Sequence, residues 1–154
     1  MIRIFVDADA CPVKDEVYVV STRHGLEVAL VANSRMYVPP GFGVHMIVVE
    51  GTPDAADDWI AENVRRSDVV VTSDIPLAAR CLAAGAHVLG NNGRPFTEDS
   101  IGGALASREL GQHLRESGLL TGGPRSITAR DRSLFSSKLD ALVQRGLREV
   151  KEQS

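Results

Sequence analysis

Cysteine, histidine and lysine are scarce in this chain of 154 residues, with two Cys and four His. Two thiols, Cys11 and Cys81, cannot build a disulfide scaffold, and they lack the paired spacing of a zinc site. Aromatic residues make up 5% of the chain, and Tyr18, Tyr37, Phe42 and Phe96 are scattered, so no platform for stacking bases is written into it. No stretch approaches the ~20 apolar residues of a membrane span, and no signal-peptide pattern opens the sequence. A cytoplasmic protein without a membrane partner is the expectation.

What remains is ordinary for a globular protein: 44% hydrophobic and 24% charged residues. The length suits one domain over 1–154, with residues from about 120 to 154 as a C-terminal helical extension. The net charge of −3 is unevenly spread. Residues 1–110 carry nine Lys/Arg against fifteen Asp/Glu, a balance of −6, and residues 111–154 carry eight against five, a balance of +3. An acidic body with a basic tail suits a metal site beside a polyanion-binding surface; solvated charged faces are the plainer alternative.

Short β-branched runs alternate with longer amphipathic ones. Strands are expected at 2–6, 27–32, 44–50, 68–73 and 87–90. Helices are expected at 11–25, 52–64 and 75–85, near 98–116, and over about 131–151. Pro12 fits a first helical turn and Gly25 a helix end, and Thr52 can cap the second helix. This alternation implies an α/β fold: a three-layer sandwich around a mostly parallel sheet of about five strands.

In such a sheet, ligands gather outside the carboxyl ends of the strands, where strand order reverses. The acids cluster there. Asp7 and Asp9 follow the first strand and Asp74 follows the fourth. Asp54, Asp57 and Asp58 lie on the preceding helix, and Glu98 and Asp99 open a later one. Carboxylates held together raise one another's pKa unless a cation lies between them, and an all-oxygen set favours Mg²⁺ or Mn²⁺. Asp7 and Asp74 are the expected direct ligands; Asp57 or Asp58 and Asp99 complete the ring. Asp9 either caps the helix that Pro12 begins or joins the ligands. Each acid near a helix start also has a purely structural use as a cap or a partner of the helix dipole.

Asn33, Ser34 and Arg35 follow the second strand at the same edge, Thr72 and Ser73 precede Asp74, and Arg94 lies in the NNGRP turn. All are candidates for substrate contact. So are Arg130 and Arg132, which with Arg115, Arg125 and Lys138 form the basic part, where a nucleic-acid backbone could bind. Gly102 and Gly103 suggest a close backbone approach. Cys11 sits where a helix dipole lowers a thiol's pKa, but a packed thiol is the simpler reading; Cys81 reads as core.

The stretches FVDADACPVKDEV, VANSRM, PDAADDWIAEN, VVTSDIPLAARC, GRPFTEDSIG and GGP…RDRSLF…LD, in this order across nearly the whole chain, resemble the YaiI/YqxD family of uncharacterised bacterial proteins. The resemblance implies a PIN-like α/β domain related to metal-dependent ribonucleases. PIN-like nucleases carry an aspartate at the end of strand one, an acid on a central helix and an aspartate after strand four; Asp7, Asp57 or Asp58, and Asp74 match these positions. A further acid corresponds to Asp99. The DAD-Cys-Pro stretch and the extra C-terminal helix depart from that pattern.

The functional expectation is a Mg²⁺- or Mn²⁺-dependent nuclease or phosphodiesterase acting on RNA or single-stranded DNA. The alternatives are a non-catalytic module that binds metal or nucleic acid, and an aspartyl-nucleophile phosphatase built on Asp7-Ala-Asp9. The phosphatase also needs a suitably placed lysine, and Lys14, Lys138 and Lys151 are the only ones.

Overall fold

A computed structural model describes residues 1–52, 54–102 and 127–153. β1 (Ile4–Asp7), β2 (Val28–Ala32), β3 (Val44–Val48), β4 (Val69–Val71), β5 (His87–Leu89) and β6 (Pro95–Phe96) form one sheet of order β3-β2-β1-β4-β5-β6. The first five strands are parallel; β6 runs antiparallel to β5. The sixth strand was not expected from the sequence, because it has two residues and begins with a proline. It lies at an edge, where a missing N–H leaves no gap in the ladder.

Alternation along β1 explains the layers. Ile4 and Val6 face one side with α1 (Lys14–Arg23) and α5 (Ala129–Gln153), where Val17, Val20, Phe135, Leu139 and Val143 are buried. Phe5 faces the other side with α2 (Ala55–Asn63) and α3 (Ile75–Ala83), among Ala56, Ile60, Leu77, Ala78 and Cys81. Burying each large side chain contributes about 1.5–3 kcal/mol before the entropy of ordering it. A helix α4 is described over 98–102, beginning at a Thr97–Ser100 box of reciprocal bonds. The remainder of the helix expected to 116 lies outside the described residues, as do Gly103, Arg115 and Arg125. Among the described residues, nothing lies within 4 Å of a Cβ added at Gly102.

β2 reaches β3 through residues 33–43 without a helix. Met36 and Val38 pack on the core there, and Phe42 meets Tyr18 at 6.0 Å between ring centroids. This segment covers the sheet as a crossover helix would.

The first helix starts later than the sequence suggested. A 3-10 turn (Ala8–Ala10) intervenes, and α1 begins at Lys14 with Val13, not Asp9, at its cap position. Asp9 instead accepts from the Asn33 amide at 3.0 and 3.3 Å. The β1–β2 ladder ends at Asp7 and Val31, so the next β2 amides need a partner. Likewise, the Ala55 amide bonds the Thr52 carbonyl at 3.0 Å, while the cap position itself belongs to Asp54.

α5 is tied along its length. Arg132 donates to the Pro12 carbonyl (2.9 Å) and to Glu16 (3.0 Å). Asp140 takes Arg23 (2.9 Å) and His24 (2.8 Å), and Glu149 takes Ser67 and His87, both at 2.8 Å. Bonds at 12/16 and 23/24 with 132 and 140 mean that α1 and α5 run parallel, both starting at the carboxyl edge. At Gly146 the helix touches the segment before β4: an added Cβ would lie 2.5 Å from the Ser67 carbonyl oxygen and 3.0 Å from Ile2 Cδ1. No helix among the described residues is long and apolar enough to cross a membrane.

Candidate functional site at the carboxyl edge

The chain leaves β1 toward β2 on one side, while β4 arrives on its other side. The edge between β1 and β4 is therefore where strand order reverses. Asp7 ends β1, and Asp74 follows β4 by three residues. Thr72 joins them: its buried hydroxyl donates to Asp7 Oδ2 at 2.9 Å and accepts from the Asp74 amide at 3.0 Å. Asp74 Oδ1 accepts from the Leu77 amide at 2.9 Å and caps α3, with Pro76 in the first turn. Each carboxylate is thus oriented through one oxygen, leaving the other for a ligand.

Asp57, on the first turn of α2, completes the group. Burial, then the charges of Asp74, Asp7, Asp54 and Asp58, push its pKa up to about 6. Asp7 is also raised, first by burial and further by Asp74 and Asp9, against the lowering effect of the Thr72 bond. The charges acting on these two acids are all carboxylates. Asp58 has a different setting: its carboxylate is half exposed and bonded to Arg80 at 2.8 Å. Asp99 is exposed in the first turn of α4 and is not among the charges acting on Asp7 or Asp57.

The raised Asp57 has a definite sign for stability. Between the ordinary carboxylate range near 4 and its own pKa of about 6, the folded state binds more protons than the unfolded one, so stability falls as pH rises through that window. Asp57→Asn is expected to be more stable than wild type at pH 7, by about 1 kcal/mol after solvent screening, and equal to it below pH 4. Urea unfolding at the two pH values checks this.

The other candidates lie around this centre. Asn33, Ser34 and Arg35 are exposed beyond β2 on one flank, and Arg94 is exposed in the β5–β6 turn on the other. Ser73 accepts from the Asn91 amide at 3.1 Å and so links the β4 end to that turn. Arg130 is exposed at the start of α5, whereas Arg132 is held by Pro12 and Glu16. Cys11 is buried, and burial raises its pKa; the helix whose dipole was expected to lower it begins three residues later. Cys81 is buried as expected, its thiol pushed up to about 12.

Among the described residues, no three His, Cys, Asp or Glu side chains form a ready metal cage. The donor chemistry nevertheless fits Mg²⁺ or Mn²⁺, since Mg²⁺ keeps several waters and needs only one or two carboxylates from the protein. The aspartyl-nucleophile arrangement is not assembled here. Asp9 faces Asn33, and Lys14 Nζ donates to the Cys11 carbonyl at 2.7 Å.

The sequence profile described as "Uncharacterized BCR, YaiI/YqxD family" matches residues 5–145. The chain belongs to the YaiI/YqxD family. Among its relatives, a UPF0178 protein of Rhodopseudomonas palustris (strain HaA2) is 57% identical over 143 residues, covering 93% of this chain and 87% of the relative. One of Nitrobacter winogradskyi is 55% identical over 144 residues, covering 94% and 92%. Another, of Bradyrhizobium diazoefficiens, is 57% identical over 143 residues, covering 93% and 86%. No solved structure matches. The YaiI/YqxD match includes Asp7, Asp57, Thr72 and Asp74, so the whole carboxylate group lies inside the region that defines the family.

Proposed function

We propose that this YaiI/YqxD chain is a divalent-metal-dependent phosphodiesterase acting on RNA or single-stranded DNA, with Asp7, Asp57 and Asp74 at its centre. The observation that carries the reading is the convergence of carboxylates at the β1–β4 crevice, where Thr72 ties Asp7 to the Asp74 backbone and the charges of Asp74 and Asp7 both act on Asp57. A bound Mg²⁺ or Mn²⁺ would polarise a phosphoryl oxygen and activate a water for in-line attack. Asp7 and Asp74 would hold it, each through the oxygen not used by Thr72 or by the α3 cap.

The chain's own groups do the rest. Thr72 fixes the Asp7 carboxylate against rotation, and the cap on α3 fixes Asp74. Asp57, with its pKa near 6, exchanges a proton close to neutral pH and suits a general acid–base role. Arg35 and Arg94 offer phosphate contacts on the two flanks. The resemblance to PIN-like nucleases supports the same three acids.

The test is cleavage of single-stranded RNA and DNA by EDTA-stripped protein resupplied with Mg²⁺ or Mn²⁺. Cleavage is expected, and Asp7→Asn is expected to abolish it. Inactivity of the wild type with both metals, or full activity of the variant, rejects the proposal. A non-catalytic module that binds metal or nucleic acid through the same carboxylates and the basic residues of α5 is the second reading. Binding of Mn²⁺ and RNA without turnover selects it.

A further inference from the structure

Between residues 130 and 148 the charges of α5 are sorted by face. Of its four acids, Asp131 caps the Thr128 amide at 3.0 Å, while Asp140 and Glu149 turn to His24 and His87 on the body. Arg130, Lys138, Arg145 and Arg148 are all exposed. At 3.6 residues per turn these four fall within a sector of about 80°, and from first to last they span about 27 Å. The same sector carries Ala141 and the 45%-exposed Leu134. Between residues 130 and 148 this sector carries no acid, because Asp140 and Glu149 turn to partners on the body; Glu152, one turn beyond Arg148, is exposed at the end of the row. Among the described residues, Arg145 of these four is partly engaged, its Nε lying 3.6 Å from Glu149.

The row also has a direction. Arg132 on Pro12, and Phe135 against Gly93, where an added Cβ would lie 3.2 Å from the Phe135 backbone, place the start of α5 at the carboxyl edge. Arg130 therefore lies at the site end of the row and Arg148 at the far end.

We propose that the outer face of α5 is a track for the sugar-phosphate backbone of a polynucleotide, leading away from the Asp7–Asp74 crevice. Its direction rests on the phosphodiesterase reading; its ability to bind does not. Four point charges without an aromatic neighbour on the face grip phosphates and ignore bases, so binding is insensitive to sequence and sensitive to salt.

The experiment is fluorescence anisotropy of a labelled mixed-sequence RNA of ~20 nucleotides, titrated in EDTA at several salt concentrations. For a single strand, four phosphate contacts give a slope of log K against log salt of about −3. The variant R130Q/K138Q/R145Q/R148Q is expected to lose most of that slope and at least about tenfold in affinity at low salt. R130K/R145K/R148K, which keeps every charge, is expected to bind as wild type. Circular dichroism and the thermal midpoint confirm that both variants fold; if the glutamine variant does not, the slopes of R130Q/K138Q and R145Q/R148Q, each expected to fall by about half, replace it.

An unchanged slope after the four charges are removed overturns the track while leaving the Asp7 site standing. Absence of cleavage by the wild type leaves the EDTA binding result intact. If phosphatidylserine vesicles release the glutamine variant while RNA binding is unaltered, the face belongs to lipid and the inference fails.

Discussion

Asp74→Asn is expected to unfold at or slightly above the wild-type temperature and to lose metal-dependent cleavage by about 10²–10³-fold, the loss typical of one misplaced electrostatic group. The two effects separate because Asp74 has two tasks on two oxygens. Oδ1 accepts the Leu77 amide at 2.9 Å, and an asparagine carbonyl accepts it equally well. The negative charge, which an ion needs, is absent in Asn. Asp74→Ala removes both functions. It is expected to lose the cap as well, at a cost of about 1 kcal/mol, and to melt about 2–4 °C lower. Thermal denaturation and cleavage rates measured on all three proteins check the split. Full activity in the Asn variant would mean that Asp74 is only a cap. Removing the charge also relieves Asp57, so an NMR titration of Asp57 in the variant should move below the wild-type value of about 6.

The largest expected loss of stability comes from a residue far from the site. Gly146→Ala would ordinarily favour a helix by about 1 kcal/mol. Here the new Cβ falls 2.5 Å from the Ser67 carbonyl oxygen, which is backbone and cannot swing away. The helix must shift instead, disturbing the Ser67 and His87 bonds to Glu149 and the seat of Val143. A net loss of about 1–3 kcal/mol is expected, a fall in melting temperature of roughly 3–10 °C. A midpoint equal to or above wild type would show that α5 is more loosely seated than this contact implies.

The fold was legible where the sequence repeats a simple rule. IFV and VVV are apolar without interruption, as strands covered on both faces must be. The 3.6-residue stripe of Phe135, Leu139 and Val143 fixes the inner face of α5, and all three are fully buried. The adjacency of Asp7 and Asp74 followed from strand order. What escaped was set by contacts between distant segments. Asp57 and Asp58 are neighbours on one helix, and only the position of Arg80 on α3 shows which of them has a cation beside it. Arg132 looked like its neighbour Arg130 until Glu16, some 116 residues away, took it. Asp9 read as a cap because Pro12 suggested an early helix start; the open end of the β1–β2 ladder held it instead. The sorting of charge on α5 needed the positions of His24 and His87, which periodicity does not carry. It is signalled in retrospect by acids at 140 and 149 among cations at 138, 145 and 148.

The packing of Gly146 against Ile2 also says something about timing during synthesis. The central strand β1 is made first, yet its amino-terminal end is covered by a helix emerging about 140 residues later, roughly 10–30 s at usual elongation rates. Until then Ile2, Ile4 and Val6 lack Phe135, Leu139 and Val143 above them. With α1 alone on that side, the sheet cannot complete its second face as it leaves the ribosome, and a nascent chain stalled before α5 would present a partly uncovered apolar surface, the kind that chaperones recognise.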